Sequence, residues 1–513
     1  GLWCASLGFS ERRLADAAAR QMQVLPYYHA FSGKVPGPVT ELVAQLARWA
    51  PTPALKAGRV LFANSGSESN DTAIRLIRHY WALKGEPKRR IIISRKMAYH
   101  GSTIAAGSMG GMSHVHQHSY PVYEGFRHIM DPSWFDNGRD GESLHDFGLR
   151  AAKALEDEIL AVGPENVAAF AGEPVQGAGG VKIAPDTYWP EIQRIVDKYG
   201  ILFLADEVIT GFGRLGTWFA SQYYGIRPNL ITFAKAATSG YLPLSGVLVD
   251  DEIVDALMAH NDDFNHGYTF SGHPVCCAVG LKNLEIMERE NLLRHVTEFG
   301  APALAKMLQK FKDHPLIGEV RSVGMLGAME LVADKKTRRR FANPGRVGLI
   351  CRDHFFREGF IMRALYDTMV CAPTLIWQQK HFDEAEGIIA KCLDLTLKAS
   401  RKVELEDGRS VGREGELETE DFSVVSGLLE RVTRRLVIPL RLDDRDGHVG
   451  AEAEKVVSAL PGASARLAAN HDDPSIGERH LLIDAMRFGL PACGLELGDD
   501  EPSTGIGFVH AGA

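Results

Sequence analysis

Two charged residues each close a short apolar run, and together they carry the strongest chemical signal in the chain. Ile201–Ala205 is followed at once by Asp206, and Leu230–Ala234 by Lys235. Each run is continuous and bounded by polar or Gly/Pro punctuation, the pattern of a strand buried on both faces. A parallel pair needs a long crossover, and the residues between the runs suffice for a helical one. Right-handed crossovers deliver both strand ends to one edge of the sheet, where ligands of open α/β sheets sit. A carboxylate and an amine meeting there suit pyridoxal 5'-phosphate, which needs a lysine for its Schiff base and an acid beside its pyridine nitrogen. An anion at that nitrogen keeps the ring protonated and able to accept a carbanion's electrons. A plain strand-end ion pair is the competing reading of the same two residues.

Polar clusters recur at other strand ends. Val60–Ala63 runs into the turn Asn64–Ser67 and then a helix with Ala73, Ile74, Ile77, Tyr80 and Trp81 on one face. Free N–H groups at that helix start, aided by serine hydroxyls, would seat a phosphate. Ordinary capping by Ser67 is the plainer alternative. The strand Arg90–Ser94 leads to Tyr99, His100 and Gly101, where Tyr99 either stacks on a ring or fills the core. Val167–Ala171 leads to Glu173-Pro174-Val175-Gln176-Gly177. The segment Gly211–Gly216 spells GFGRLG, a formal dinucleotide fingerprint. It follows Asp206-Glu207-Val208 rather than the strand itself and lacks the later acid, so the match is accidental. His114, His116, His118 and His128, in the loop-rich stretch Gly107–Gly148, have no HExxH spacing and no nearby cysteine, so no metal site is expected.

The elements that must position these residues fit an ordinary globular chain. Its 513 residues are 45% hydrophobic and 24% charged, enough for two or three domains. A net charge of −8 without a basic block argues against nucleic acid or an anionic membrane as partner. Seven cysteines without a CxxC point to a reduced, cytoplasmic chain, and no apolar run is long enough to span a bilayer. The chain opens at Gly1 in mid-motif, so a preceding segment, with any targeting peptide in it, is expected to be missing. Helices over Ser10–Val24 and from a Thr40 cap through Trp49 flank the aromatic loop Leu25–Pro38. Residues 262–274 read as a polar loop, Pro274–Phe311 as helical, and Ile317–Leu331 and Phe360–Pro373 as strands around the Arg338–Pro344 loop and a helix. His381–Leu397 closes as a helix. The expected division is a segment at 1–35, a large domain at 36–275, a smaller α+β domain at 276–400 and an extension at 401–513. In the extension only Val424–Leu436 and Ala451–Leu460 show helical spacing.

Taken together, the motifs resemble the class III aminotransferases, in the branch that moves amines or ω-amino acids to pyruvate. The pieces are GLWC, NSGSESNDTA, YHGST, EPVQGAGG, ADEVITGFGR, TFAKAATSGYLP, HGYTFSGHP and FIMRA, in family order from Gly1 to about Ser400. The resemblance implies an α/β fold, the fold type I of pyridoxal-phosphate enzymes, with a mostly parallel sheet in the large domain. It implies Lys235 as the Schiff-base lysine and Asp206 as the ring-nitrogen partner, with Val208 and Tyr99 on the ring faces. Gly66 and Ser67 would hold the phosphate, and His100 and Glu173 would stand near the ring. Thr269 would reach the phosphate of a neighbouring subunit, so a homodimer or a tetramer is implied. Trp3, Tyr28 and Phe31 would wall the substrate pocket, and Arg363 would clamp a substrate carboxylate. Relatives acting on ornithine, acetylornithine or 4-aminobutyrate often carry a Glu where this chain has Ala178, which favours the pyruvate-using branch. An aminomutase or decarboxylase on the same scaffold, a nicotinamide oxidoreductase on GFGRLG, and an inactive fragment are the rivals.

Overall fold

The computed structural model describes residues 2–31, 33–118, 123–260, 264–411, 436–439, 464–468 and 480–484. Seven strands form the main sheet: β1 Arg59–Ala63, β2 Ile91–Arg95, β3 Phe126–Ile129, β4 Val167–Gly172, β5 Leu202–Asp206, β6 Leu230–Phe233 and β7 Ser245–Val249. Their spatial order is β1-β7-β6-β5-β4-β2-β3. From β6 to β3 every neighbouring pair is parallel, and β7 runs antiparallel to both of its neighbours.

Strands β4, β5 and β6 are buried along their whole length, which explains their unbroken apolar sequences. Alternate side chains of β5 serve opposite cores, as the two-residue strand period dictates. Phe203 and Ala205 pack with Phe147, Phe170 and Trp189. Leu202 and Leu204 join Ala73, Ile77 and Trp81 from helix Gly66–Leu83. The central strands are thereby fixed from both sides, and their C-terminal ends stay rigid.

A second sheet is antiparallel, with β8 Ile317–Val323, β9 Leu326–Leu331, β10 Arg363–Leu365 and β11 Thr368–Cys371 in the order β10-β11-β9-β8. Both sheets lie in one compact unit, Gly1–Gly412. A separate unit, Arg413–Ala513, contains β12 Leu436–Pro439, β13 Ser464–Ala468 and β14 His480–Asp484, paired antiparallel in the order β12-β14-β13. The helix expected at Ala451–Leu460 lies outside the described residues. So does the one at Val424–Leu436, except that Leu436 opens β12.

Several local expectations are corrected. The β5–β6 crossover holds only a five-residue helix, Ala220–Tyr224, and is otherwise built of turns. Its glycines are the reason, since Gly213 and Gly216 sit at φ +86° and +83°, where a right-handed helix cannot continue. Helix Gly37–Trp49 starts after Pro36, three residues before the expected Thr40 cap, because a proline is tolerated at a helix start. Helix Gly66–Leu83 is capped by Ser65, not Ser67. The loop-rich stretch Gly107–Gly148 also contains β3 and the start of helix Leu144–Val162. Strand β3 was hidden because it is four residues long with Arg127 exposed, too short for a readable alternation.

Glu207, next to Asp206 in sequence, turns the other way. Its carboxylate accepts from Ala220 N (2.6 Å), Ser221 N (2.7 Å), Ser221 Oγ (2.6 Å) and Thr210 Oγ1 (3.0 Å). It thus caps the short crossover helix, although burial pushes its own pKa up. Glu207→Gln would turn a donor toward these N–H groups. The expected loss is about 2 kcal/mol of stability, read by urea unfolding; an unchanged midpoint would contradict this role.

Candidate active site

The C-terminal ends of β4, β5 and β6 open onto one pocket. Asp206, the last residue of β5, contributes from the floor, and Lys235 stands just beyond β6. Glu173, after β4, and Tyr99, His100 and Gly101, after β2, join them. Gly66, Ser67 and Asn70 come from the first turns of helix Gly66–Leu83, and Val208 and Ile209 from the start of the crossover. The parallel strand ends therefore converge as sequence reasoning expected.

Asp206 is the best-held group. Asn70 Nδ2 donates to its Oδ2 at 2.8 Å, and Val208 N donates to Oδ1 at 3.1 Å. His100 Nδ1 lies 2.7 Å from Oδ2, and a carboxylate partner requires the proton on Nδ1. Burial alone would raise the Asp206 pKa, but the His100 and Asn70 hydrogen bonds outweigh it and hold the carboxyl below its usual range. It is an anion with its charge fixed in place.

Lys235 responds in the opposite sense. Burial lowers its pKa, against the pull of Asp206, Cys4 and Glu173. Its backbone sits at φ +42°, in the left-handed region, at a cost of about 1–2 kcal/mol. Strain of this kind persists where the surroundings over-determine a residue. Glu173 accepts from Tyr99 N at 3.0 Å and from Gly177 N at 2.9 Å, and burial pushes its pKa up.

The helix start is prepared for an anion. Ser65 Oγ accepts from Glu68 N at 3.3 Å, and the Glu68 carboxylate reaches back to Ser65 N at 3.2 Å and Asn64 N at 2.7 Å. That capping box leaves the N–H groups of Gly66 and Ser67 ahead of the first intrahelical bond. A Cβ at Gly66 would lie 3.0 Å from both Val208 methyls, so only glycine leaves the close approach free.

Trp3 and Arg363 stand beside the pocket. Trp3 is buried against Val175 and Ile209, and the Arg363 guanidinium lies 5.3 Å from its ring centroid. Burial lowers the Arg363 pKa, opposed by nearby Tyr99. Tyr28, Phe31 and Thr269 do not line the Lys235 pocket within a single chain. Tyr28 stacks on His29, and Phe31 lies over Gly267 in an apolar groove with Val39 and Val43. Thr269 offers its carbonyl to Tyr27 Oη at 2.8 Å, and Tyr27 packs on Phe270 and His273. All three thus belong to the surface made by the 27–31 and 267–273 loops.

Asn70 was missed by sequence reasoning. It falls on the stripe shared with Ala73, Ile74 and Ile77, and a polar amide on a buried helix face is the signal that marks it.

The class-III aminotransferase family model matches residues 1–393. A putrescine–pyruvate aminotransferase from Pseudomonas aeruginosa is 50% identical over 400 residues, covering 78% of this chain and 86% of the relative. A mitochondrial gamma aminobutyrate transaminase from Solanum lycopersicum is 40% identical, covering 78% and 77%. The solved omega transaminase of Pseudomonas jessenii in complex with PMP has a TM-score of 0.75 at 40% identity, covering 78% of this chain and 88% of that one. Family match, relatives and fold agree: this chain belongs to the class-III aminotransferases.

Proposed function

We propose that the protein moves an amino group from a primary amine or ω-amino acid to pyruvate, giving alanine, with pyridoxal 5'-phosphate in the Lys235 pocket. The observation that carries this reading is the convergence of an ionised Asp206, a buried Lys235 and the start of helix Gly66–Leu83 on one cavity. The donor set fits that cofactor. Asn70 Oδ1 and His100 Nε2 are buried without a hydrogen-bond partner, so the floor has polar capacity left over. Gly66 and Ser67 would hold the phosphate, Asp206 the ring nitrogen, Val208 and Tyr99 the ring, and Glu173 and His100 its surroundings. When bound, the cofactor supplies an electron sink for the carbon that carries the amine.

The chain's own groups supply the rest. The Lys235 amine, whose pKa burial lowers and whose free-base form is thereby favoured, takes the proton from the amine-bearing carbon and can return it. Asp206 stays anionic throughout because its hydrogen bonds stabilise the charge. Trp3 offers an apolar wall to the amine half-reaction, and Arg363 a cation to the keto-acid half-reaction. With Ala178 in the EPVQGAGG turn, no carboxylate at that position competes for Arg363, whose guanidinium rests on Trp3 instead.

Thr269, Tyr28 and Phe31 enter this reading through a second copy of the chain, so the working form is a homodimer, or a tetramer built from it. The exposed Tyr28 and Phe31, on the same surface as Thr269, support that role. The six described cysteines are free and no helix among the described residues is long and apolar enough to cross a membrane, which supports a cytoplasmic setting.

A donor panel that includes putrescine, with pyruvate as acceptor and alanine as readout, tests the proposal. Arg363→Ala should raise the pyruvate KM about tenfold or more, since a hydrogen bond to a charged group contributes about 1.5–3 kcal/mol. The KM for a diamine donor should change little. Equal effects on both substrates would remove Arg363 from the carboxylate site.

A further inference from the structure

The hairpin that carries Arg363 is fastened to a helix end by one buried carboxylate. Arg363 pairs with Val370 and Leu365 with Thr368, leaving Tyr366 and Asp367 as a two-residue turn. Tyr366 has φ +51°, a conformation that tight hairpin turns demand. Asp367 is only 3% exposed. Its Oδ2 accepts from Gly345 N at 2.7 Å and its Oδ1 from Gly348 N at 2.8 Å.

Those N–H groups begin helix Arg346–Arg357, whose N-cap Gly345 has no side chain to cap it. Asp367 supplies the missing cap from another element, and the helix dipole favours its negative charge. A Cβ at Gly348 would lie 2.0 Å from the Tyr366 carbonyl oxygen, so turn and helix meet without spare room. Two further contacts fix the turn: the Asp367 carbonyl accepts from Leu331 N at 2.9 Å, and Tyr366 Oη lies 2.9 Å from His114 Nδ1.

Arg363, by contrast, makes no ion pair among the described residues, and its guanidinium lies over the Trp3 ring face. A side chain free at its tip places a ligand only as accurately as its backbone is held. We infer that Asp367 is a positioning residue for Arg363: by bolting the β10–β11 turn to the N-terminus of helix Arg346–Arg357, it fixes where the arginine stands to receive a keto-acid carboxylate. This rests on the reading of Arg363 given above. A carboxylate that served the helix alone would lower stability on removal and leave the KM values for the two substrates in their wild-type ratio.

The test uses the holoenzyme and measures KM for pyruvate and for the amine donor. Asp367→Asn keeps the shape and loses one acceptor. It should raise the pyruvate KM about tenfold, below the hundredfold that a 1 Å misplacement can cost. The amine KM should stay within about twofold, as expected when only one substrate uses the displaced group. Gly348→Ala pushes on the same turn from the helix side and should give the same split. Added to Arg363→Ala, Asp367→Asn should leave the pyruvate KM where Arg363→Ala put it. Equal rises for both substrates, or no rise, would overturn the inference, and Gly348→Ala decides by the same criteria if the Asn variant does not fold. An unchanged pyruvate KM in Arg363→Ala alone overturns the reading of Arg363 and the inference with it. A raised value there, with both hairpin variants unaffected, overturns the inference only.

Discussion

Lys235→Ala is expected to abolish alanine formation from pyruvate, lowering kcat by about 10⁴-fold or more, on the order of 5 kcal/mol. Two losses combine in this variant. The cofactor has no amine to hold it covalently, and no base remains at the carbon that must give up its proton. No other described lysine lines the pocket. Borohydride reduction followed by peptide mass analysis should find the cofactor on the Lys235 peptide of the wild type and on no peptide of the variant. In the wild type the burial-lowered pKa sets the sign of the pH dependence. A free-base amine is needed, so transfer should rise with pH and level off below the ordinary lysine value of 10.5. Alanine formation persisting in the variant near the wild-type rate would remove Lys235 from the chemistry.

Asp206→Asn should be the next most damaging change. The carboxylate is held ionised by three hydrogen bonds, from Asn70, His100 and Val208, and its charge would keep the ring nitrogen of the proposed cofactor protonated. Each unit of pKa lost at that nitrogen costs about 1.4 kcal/mol, and about three units give a 10³-fold loss in kcat. The asparagine would also turn its NH₂ either toward the Asn70 and His100 donors or, flipped, toward Val208 N–H, so thermal unfolding must be measured beside the kinetics. A variant that folds, binds the cofactor and transfers within about tenfold of the wild type would contradict the role given to the carboxylate.

The meeting of Asp206 and Lys235 was legible because β5 and β6 are buried on both faces. A strand of that kind has a continuous apolar sequence, and a charge at its end stands out. Asp206 and Lys235 stand out by that rule, Glu173 as part of a polar cluster after β4, whereas the role expected of Tyr99 came from family likeness. The helix-start residues Gly66 and Ser67 were legible from the turn chemistry, although the cap belonged to Ser65. Strand β7 was not read, yet a signal existed: the connection over residues 234–244 is short for a parallel crossover, and β7 is antiparallel. Asp206 and Glu207 show a finer limit. Neighbouring acids at a strand end point in different directions, and only the packed helix Ala220–Tyr224 reveals which one faces the pocket. Tyr28, Phe31 and Thr269 came from family likeness, and a single sequence cannot tell residues that act within one chain from residues that act across two.

Asn70 touches both His100 and Asp206, and it sits four residues after Gly66 on the same helix. Those four residues rise about 6 Å along the axis. In the proposed function this turn would work as a ruler, with the cofactor's phosphate held at one end and its ring at the other. A coenzyme analogue with a lengthened arm between phosphate and ring would satisfy one mark and overshoot the other.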